Sequence, residues 1–235
     1  PYCGGLLFAE IFEEAGVPEG VLNVVTCSRD KVQEVGDELI ENPYVKGISF
    51  TGSTLVGRQI AAKAGAHLKK CCVELGGKDS LIVCEDADME RATQAANFGS
   101  FMHQGQICMS TERVLVASAI ADEFTQKFAA RASALVAADP RQNGPLGSLV
   151  GMASTTRLNA LVKDAVAKGA KVECGGKMPQ GLDRGWFYEP TILTGCTPDM
   201  EILQSEVFGP VASIVRVPDF DTAIAMANDS PFGLG

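Results

Sequence analysis

Histidine and closely spaced cysteine pairs are scarce in this sequence of 235 residues. Histidine occurs only at positions 67 and 103, and none of the eight cysteines belongs to a C-x-x-C pair. Because zinc sites are built mostly from these ligands, no metal site is expected. A disulfide scaffold is not expected either, since such scaffolds are typical of much smaller secreted chains. The cysteines therefore indicate a reducing compartment, and we expect a cytoplasmic protein.

Positive charge and long apolar runs are also in short supply. The 20 Lys and Arg residues face 29 Asp and Glu, which gives a net charge of −9. Such a field repels phosphate backbones and anionic lipid head groups. No apolar run approaches the roughly 20 residues that span a bilayer, and the first residues lack a signal-peptide pattern. We therefore expect neither nucleic acid nor a membrane as a partner.

The composition is that of a globular protein, with 46% hydrophobic and 21% charged residues. Helical and strand-like segments alternate with glycine or proline between them, which is the pattern of an α/β fold. Helices are predicted over residues 4–15, 58–66, 86–102, 121–136, 155–170 and 221–228. The helix over 121–136 is expected to have an apolar side made of Phe124, Phe128, Leu135 and Val136, and the helix over 155–170 one made of Leu158, Leu161, Val162, Ala165 and Val166. Strands or apolar runs are predicted over residues 21–26, 45–50, 71–75, 80–84, 113–118, 187–193 and 211–217. Cys71, Cys72 and Cys84 lie in such runs and are expected to be buried.

The first stretch that could carry chemistry is FTGSTLVGRQ, where a strand ends at Gly52 and Ser53 before a helix. Free backbone N–H groups and a hydroxyl at a helix N-terminus form a natural phosphate site. The stretch is neither a Walker A loop nor G-x-G-x-x-G. An ordinary glycine turn between a strand and a helix is therefore the competing interpretation.

The second stretch is VELGGKD, where Glu74 ends an apolar strand before Gly76 and Gly77. A carboxylate at a strand end in a partly dry pocket can act as a general base, and glycines let backbone approach a ligand closely. A solvated glutamate before an ordinary turn is the alternative interpretation.

The third stretch is FMHQGQICMSTERV, which places Cys108 in a polar segment between a predicted helix and a predicted strand. A thiol beside small and polar residues can act as a nucleophile, and its own backbone N–H can help to hold an oxyanion. Nucleophilic thiols need a nearby cation or base, and Arg113 and His103 are the nearest candidates in sequence. An inert loop cysteine remains the alternative.

Taken together, FTGSTLVG, VELGGKD, QGQIC and EVFGP occur in the order and approximate spacing of the aldehyde dehydrogenase superfamily, which the chain resembles over essentially its whole length. The resemblance implies an α/β fold of that type. Residues 1–75 would form the end of a Rossmann-type cofactor domain, and residues 76–235 most of the catalytic domain.

The resemblance also implies NAD- or NADP-dependent oxidation of an aldehyde to a carboxylate. Cys108 corresponds to the family's nucleophile, which forms a thiohemiacetal and then a thioester. Glu74 corresponds to the base that activates the hydrolytic water. The positions that match cofactor contacts are Gly52, Ser53, Leu75, Gly76, Glu206 and Phe208, with a core role as the competing interpretation for Phe208.

Part of the family's site is not matched by any residue here. The family supplies an oxyanion-binding asparagine and a ribose-binding lysine from segments that precede the point at which this chain begins. We therefore expect an internal piece of a longer protein, which would form a homodimer or homotetramer. Residues 1–235 alone are expected to bind cofactor poorly and to turn over slowly or not at all.

Substrate choice is less constrained by the residues. The chain is most similar to the branch that handles vanillin, benzaldehyde or salicylaldehyde, and Ile107 and Met109 would give the thiol an apolar mouth. A succinate-semialdehyde enzyme stays open, with Arg113 as the cation for the distal carboxylate. A CoA-acylating relative is disfavoured by Glu74, and a catalytically silent binding protein is disfavoured by an intact Cys108 and Glu74.

Overall fold

The structure is a computed structural model that describes residues 2–142 and 144–234, without the side chains of residues 2 and 3. The chain divides into two compact units, Pro1–Glu74 and Leu75–Gly235. The α/β fold predicted from the sequence is confirmed, because both units combine helices with strands.

The first unit contains helices α1 Tyr2–Glu14, α2 Val32–Glu41 and α3 Thr54–Ala66, and strands β1 Gly47–Thr51 and β2 Lys70–Glu74. The two strands pair in parallel, from Gly47 opposite Lys70 to Thr51 opposite Glu74. Helix α3 joins them, so this part of the unit is a β–α–β segment. The strands predicted over 45–50 and 71–75 are thus confirmed.

The strand predicted over residues 21–26 is wrong, because these residues form a loop that is mostly exposed. Its valines favour a strand only where a neighbouring strand and a packed face are present. In the described part of this unit, β1 and β2 pair only with each other. The expected burial of Cys72 is also wrong, since its side chain is exposed, and Cys71 and Cys84 are only half-buried.

The second unit is built on a five-stranded sheet. Its strands are β3 Asp79–Val83, β4 Thr111–Ala117, β5 Lys171–Cys174, β6 Thr191–Thr194 and β7 Val211–Val217. The strand order is β3-β4-β7-β6-β5. All neighbours are parallel except β5, which runs antiparallel to β6.

The helices of this unit are α4 Met89–Phe101, α5 Ala121–Ser133, α6 Met152–Ala167, α7 Glu201–Gln204 and α8 Phe220–Asn228. Short 3₁₀ turns cover Met102–Gly105 and Pro140–Gln142. Among the residues described, no helix has the length and apolar character needed to cross a membrane.

Two apolar clusters lie on the two faces of this sheet. Along β4, Val114 and Val116 belong to the cluster that contains Phe124 and Phe128 of α5, while Leu115 belongs to the other. Burial on both faces explains why the central parallel strands have continuous apolar sequences. The expected apolar face of α5 is confirmed at its two phenylalanines.

The predicted apolar faces fail at two helix positions. Val136 is exposed, because α5 ends at Ser133 and no longer sets the direction of this side chain. Val166 of α6 is also largely exposed. Its predecessor Ala165 already occupies the buried stripe of that helix, so a residue one position later points about 100° away.

Candidate active site

Three of the sequence motifs directly precede three neighbouring strands of the second unit. Residues 75–78 lead into β3, residues 106–110 into β4, and residues 205–210 into β7. Because β3, β4 and β7 are adjacent and parallel, the N-terminal ends of these strands lie at one edge of the sheet. The fold therefore brings the glycine pair, the cysteine loop and the EVFGP segment together.

Gly76 and Gly77 stand where little else would fit. A Cβ atom on Gly77 would overlap the backbone carbonyl oxygen of Cys108, and one on Gly76 would lie 2.8 Å from Oε2 of Glu206. The N–H of Gly77 donates to Oε1 of Glu206 at 3.2 Å. This hydrogen bond and the two close approaches tie the three motifs to one another. Leu75, just before the pair, is half-buried.

The Cys108 loop is held by backbone geometry and by polar contacts. After α4, His103, Gln104 and Gly105 have φ values of 52°, 58° and 65°, which turn the chain sharply. Oε1 of Gln106 accepts the N–H of Val150 at 2.9 Å. The Cys108 side chain, two residues on, is half-buried. The turn and the hydrogen bond thus hold the loop, and the thiol it carries, in a fixed position at the edge of the sheet.

Arg113, the cation nearest to Cys108 in sequence, is not free to act on a substrate. It is buried and donates to the carbonyl oxygen of Lys78 at 3.1 and 2.8 Å. It also donates to the carbonyl oxygens of Met226 at 3.0 Å and Ala227 at 2.9 Å. Its guanidinium therefore ties β4 to the start of β3 and to the end of α8.

Burial shifts the pKa values of charged groups at this edge of the sheet. Burial raises the pKa of Glu206, while the hydrogen bond from Gly77 acts in the opposite direction. Burial, with a further contribution from Glu112, raises the pKa of Asp79 to about 6. Lys78 and Glu112 form an ion pair of 2.6 Å, and burial lowers the Lys78 pKa despite this partner.

Sequence reasoning missed Lys78, Asp79 and Glu112, all of which are buried here. The signal that could have revealed Glu112 is its place beside Arg113 in the otherwise apolar strand TERVLVA. Buried charges are almost always paired, so two charges in such a strand call for partners elsewhere in the fold.

The remaining predicted residues lie in the first unit. Ser53 caps α3, with its Oγ accepting the N–H of Val56 at 3.4 Å. The N–H of Gly52 donates to the carbonyl oxygen of Glu74 at 3.0 Å, so Gly52 shapes the turn and offers no free donor. The Glu74 side chain, at the end of β2, is exposed.

The first N–H groups of α3 fit a phosphate. The leading amides of a helix have no acceptor within the helix, and its dipole favours negative charge there. Ser53 adds a hydroxyl beside them. In the second unit, the missing side chain at Gly76 lets the backbone lie close to the Glu206 carboxylate, where an added Cβ would be 2.8 Å from Oε2. Each feature, taken by itself, is compatible with a dinucleotide contact.

Comparisons with known proteins agree with these motifs. The profile of the Aldehyde dehydrogenase family matches residues 1–235. A salicylaldehyde dehydrogenase of Pseudomonas sp. (strain C18) is 47% identical over 230 residues, which are 97% of this chain and 47% of that protein. A benzaldehyde dehydrogenase (NAD(+)) of Pseudomonas putida is 44% identical over 232 residues, with 98% and 46% covered.

A solved structure gives the same result. The crystal structure of a salicylaldehyde dehydrogenase from Pseudomonas putida G7, complexed with salicylaldehyde, superimposes with a TM-score of 0.91 at 46% identity. The match covers 97% of this chain and 46% of that one. The chain thus spans about half the length of the relatives it matches. With the motifs, the profile and the fold in agreement, the chain belongs to the aldehyde dehydrogenase family.

Proposed function

We propose that this chain supplies the nucleophile, the hydrolytic base and part of the cofactor site of an NAD- or NADP-dependent aldehyde dehydrogenase. The observation that carries the proposal is the meeting of the Cys108 loop, the Gly76–Gly77 pair and Glu206 at one edge of the sheet. A thiol close to backbone that a cofactor could approach is what aldehyde oxidation through a thioester requires.

In this proposal, the Cys108 thiolate attacks the aldehyde carbonyl carbon and forms a thiohemiacetal. The backbone N–H of Cys108 stabilises the oxyanion that develops on the former carbonyl oxygen. The nicotinamide, when bound, supplies the oxidising chemistry by accepting a hydride. Glu74 then takes a proton from the water that attacks the thioester carbonyl, which releases the carboxylate and restores the thiol.

Each unit, described by itself, offers residues that would contact the cofactor. In the first, the N-terminus of α3 with Ser53 would receive the pyrophosphate, and Gly52 would shape the turn before it. In the second, Leu75 and Gly76 would lie along the dinucleotide. Glu206 would bind the nicotinamide ribose, and Phe208 would pack near the nicotinamide. We also propose a homodimer or homotetramer for the protein at its natural length.

An aromatic aldehyde is the proposed substrate class. The printed names of relatives include salicylaldehyde and benzaldehyde dehydrogenases. Phe98, Met102 and Met109, in the segment around the thiol, have exposed apolar side chains, which would suit an aromatic ring. The succinate-semialdehyde alternative loses support, because the Arg113 guanidinium is occupied by backbone carbonyls.

The first test is NAD(P)H formation by the protein at its natural length, with salicylaldehyde, benzaldehyde and succinate semialdehyde compared. Cys108→Ala should abolish turnover. Glu74→Gln should give one equivalent of reduced cofactor per active site and then stall, because the thioester would form but not be hydrolysed. A control, Cys72→Ala, removes an exposed thiol of the first unit and should leave turnover unchanged.

A second test asks whether Cys108 is activated within the 235-residue chain. Cys27 and Cys72 are exposed, whereas Cys108 is half-buried and so less accessible to a reagent. Faster iodoacetamide labelling of Cys108 than of these two, with protection by aldehyde and NAD, would therefore reflect reactivity and not access. Activity that survives in Cys108→Ala would contradict the proposal and point to another nucleophile, whereas a parent protein without turnover would favour a silent binding protein.

A further inference from the structure

Glu112 joins two of the segments that form the proposed site, although it belongs to neither. One of its carboxylate oxygens, Oε2, accepts a hydrogen bond from Nζ of Lys78 at 2.6 Å. The side chains of this pair are only 1% and 4% exposed. Lys78 directly follows the Gly76–Gly77 pair, so this ion pair fixes the end of the glycine segment to β4.

The other oxygen of Glu112 faces the EVFGP segment. Oε1 accepts the backbone N–H of Val207 at 2.7 Å and that of Phe208 at 3.0 Å. One of these amides belongs to Phe208, the proposed nicotinamide contact, and the other to the residue before it. Phe208 has a φ of 46°, a conformation that residues other than glycine seldom adopt. Two charge-assisted hydrogen bonds at this point hold an uncommon backbone conformation in place.

Other contacts complete the connection on both sides. Arg157 donates to the carbonyl oxygen of Glu206 at 2.8 Å and also to that of Val207. Arg113 donates to the carbonyl oxygen of Lys78. Glu112 differs from both arginines in that one carboxylate bonds to the glycine segment and to the EVFGP segment at once.

We propose that Glu112 is a positioning residue, which sets the distance between the glycine segment and the Glu206–Phe208 segment and so aligns the cofactor for reaction. The inference rests on the proposed function, because the two segments matter to catalysis only if they receive the nicotinamide half of NAD(P). Glu112 itself touches neither the thiol nor the cofactor in this scheme. Its effect is transmitted through the amides of Val207 and Phe208.

The alternative is that Glu112 only stabilises the fold. The two roles differ in what a variant changes. If Glu112 were purely structural, its variants would have a lower melting temperature but the same ratio of cofactor KM to aldehyde KM as the parent. A positioning residue acts on the cofactor side selectively, and misplacement by about 1 Å is enough for a large loss of rate.

The experiment uses the protein at its natural length and compares Glu112→Ala with Glu112→Gln. Glutamine keeps an oxygen for the two amides but leaves Lys78 without a counter-charge. Lys78→Met is therefore the third variant, and the double variant Glu112→Gln with Lys78→Met is the fourth. Glu123→Ala is the matched control, since Glu123 forms an exposed ion pair with Lys127. Readouts are NADH affinity by fluorescence, KM for each substrate, hydrogen exchange at residues 207 and 208, and melting temperature.

We expect Glu112→Ala to weaken NADH binding and raise the cofactor KM about tenfold, with the aldehyde KM changed less than about twofold and amide protection at 207 and 208 lost. Glu112→Gln combined with Lys78→Met should recover more affinity than Lys78→Met alone, which leaves a buried carboxylate unpaired. If Glu112→Ala does not fold, the isosteric glutamine variants carry the same comparison.

The inference is overturned if Glu112 variants melt earlier but keep the parent's NADH affinity, ratio of KM values and exchange at 207 and 208. A parent protein without aldehyde oxidation or NADH binding would instead overturn the proposed function. Even then, exchange at the two amides reports whether Glu112 holds the segment. The two failures are therefore distinguishable.

Discussion

At the scale of single residues, Gly77 has less room for a side chain than its neighbour Gly76. An added Cβ would overlap a backbone oxygen of Cys108, whereas at Gly76 it would meet only the end of the Glu206 side chain, 2.8 Å away. A carboxylate can rotate away, but a backbone carbonyl moves only with its loop.

We therefore expect Gly77→Ala to lower kcat at least about tenfold by displacing the Cys108 loop. Gly76→Ala should act mainly through a higher cofactor KM, because it displaces Glu206. Steady-state kinetics with each substrate varied in turn separates the two effects. Gly151→Ala, at a glycine with nothing within 4 Å of an added Cβ, is the control. Equal losses in kcat for the two site variants would contradict this explanation.

Asp79 makes stability depend on pH in an unusual direction for a carboxylate. Neither of its oxygens has a hydrogen-bond partner among the described residues, and burial raises its pKa from 3.8 to about 6. The folded state therefore prefers protonated Asp79. The loss of stability caused by ionised Asp79 in the folded state is absent below about pH 4. It grows as pH rises toward 6 and is complete above that.

Asp79→Asn should accordingly raise the free energy of unfolding at pH 8, by at most about 3 kcal/mol. The gain should disappear near pH 4, where the aspartate is protonated in both states. Urea unfolding of parent and variant at several pH values measures this difference. A gain that does not depend on pH would show that the charge is not the cause.

The residues that sequence reasoning could identify are those with a local signal. Cys108 stands out in a polar loop, and Gly76 and Gly77 stand out after an apolar strand. Glu112 was missed because its partners are remote: Val207 lies 95 positions further along the chain. Arg113 was interpreted as a possible substrate cation for the same reason, since nothing nearby in sequence predicts its carbonyl partners.

At the scale of elements, helix α4 leads directly into the Cys108 loop and begins after an aspartate N-cap, Asp88. The side chain of Asp88 accepts the N–H of Arg91 at 3.0 Å. It satisfies one of the amides that a helix start leaves unpaired, and its charge favours the positive end of the helix.

Asp88→Ala should therefore lower the free energy of unfolding by about 1 kcal/mol. Asp86→Ala is the matched control, because Asp86 is an exposed aspartate two positions earlier that does not cap the helix. Denaturant titration of both variants gives the difference. A similar loss in both would assign the effect to net charge and not to capping.

Elements were predicted well where periodicity and packing agree. The strands over 80–84, 113–118 and 211–217 correspond to β3, β4 and β7, and these are the strands that position the site. The strand expected over 21–26 failed, because valines alone do not supply a neighbouring strand. The predicted helix over 121–136 extends too far, because apolar spacing continues past Ser133, where α5 ends.

At the scale of the whole molecule, the order of strands determines which motifs meet. The segments before β3, β4 and β7 are far apart in sequence, and only the order β3-β4-β7 places their N-terminal ends side by side. No local pattern encodes that order. For this reason the resemblance of four motifs to a known family could suggest that they belong to one site, whereas the motifs taken singly could not.

The two units differ sharply in how much they bury. In the described part of the first, the buried residues are confined to Ile40, Gly57 and Ala64, and its sheet has two strands. The second has two apolar clusters on a sheet of five strands. Two-stranded sheets are marginal in water unless a larger apolar surface covers them, so the units should not open together.

In the 235-residue chain, hydrogen exchange with rising urea should therefore remove protection from β1 and β2 well before β4 and β7. The reason is that opening the first unit exposes little additional apolar surface, while opening the second exposes most of a core. In the protein at its natural length, protection of β1 and β2 should rise if further sequence covers their apolar residues. Simultaneous loss in all four strands of the 235-residue chain would contradict independent opening, and would mean that the units unfold as one.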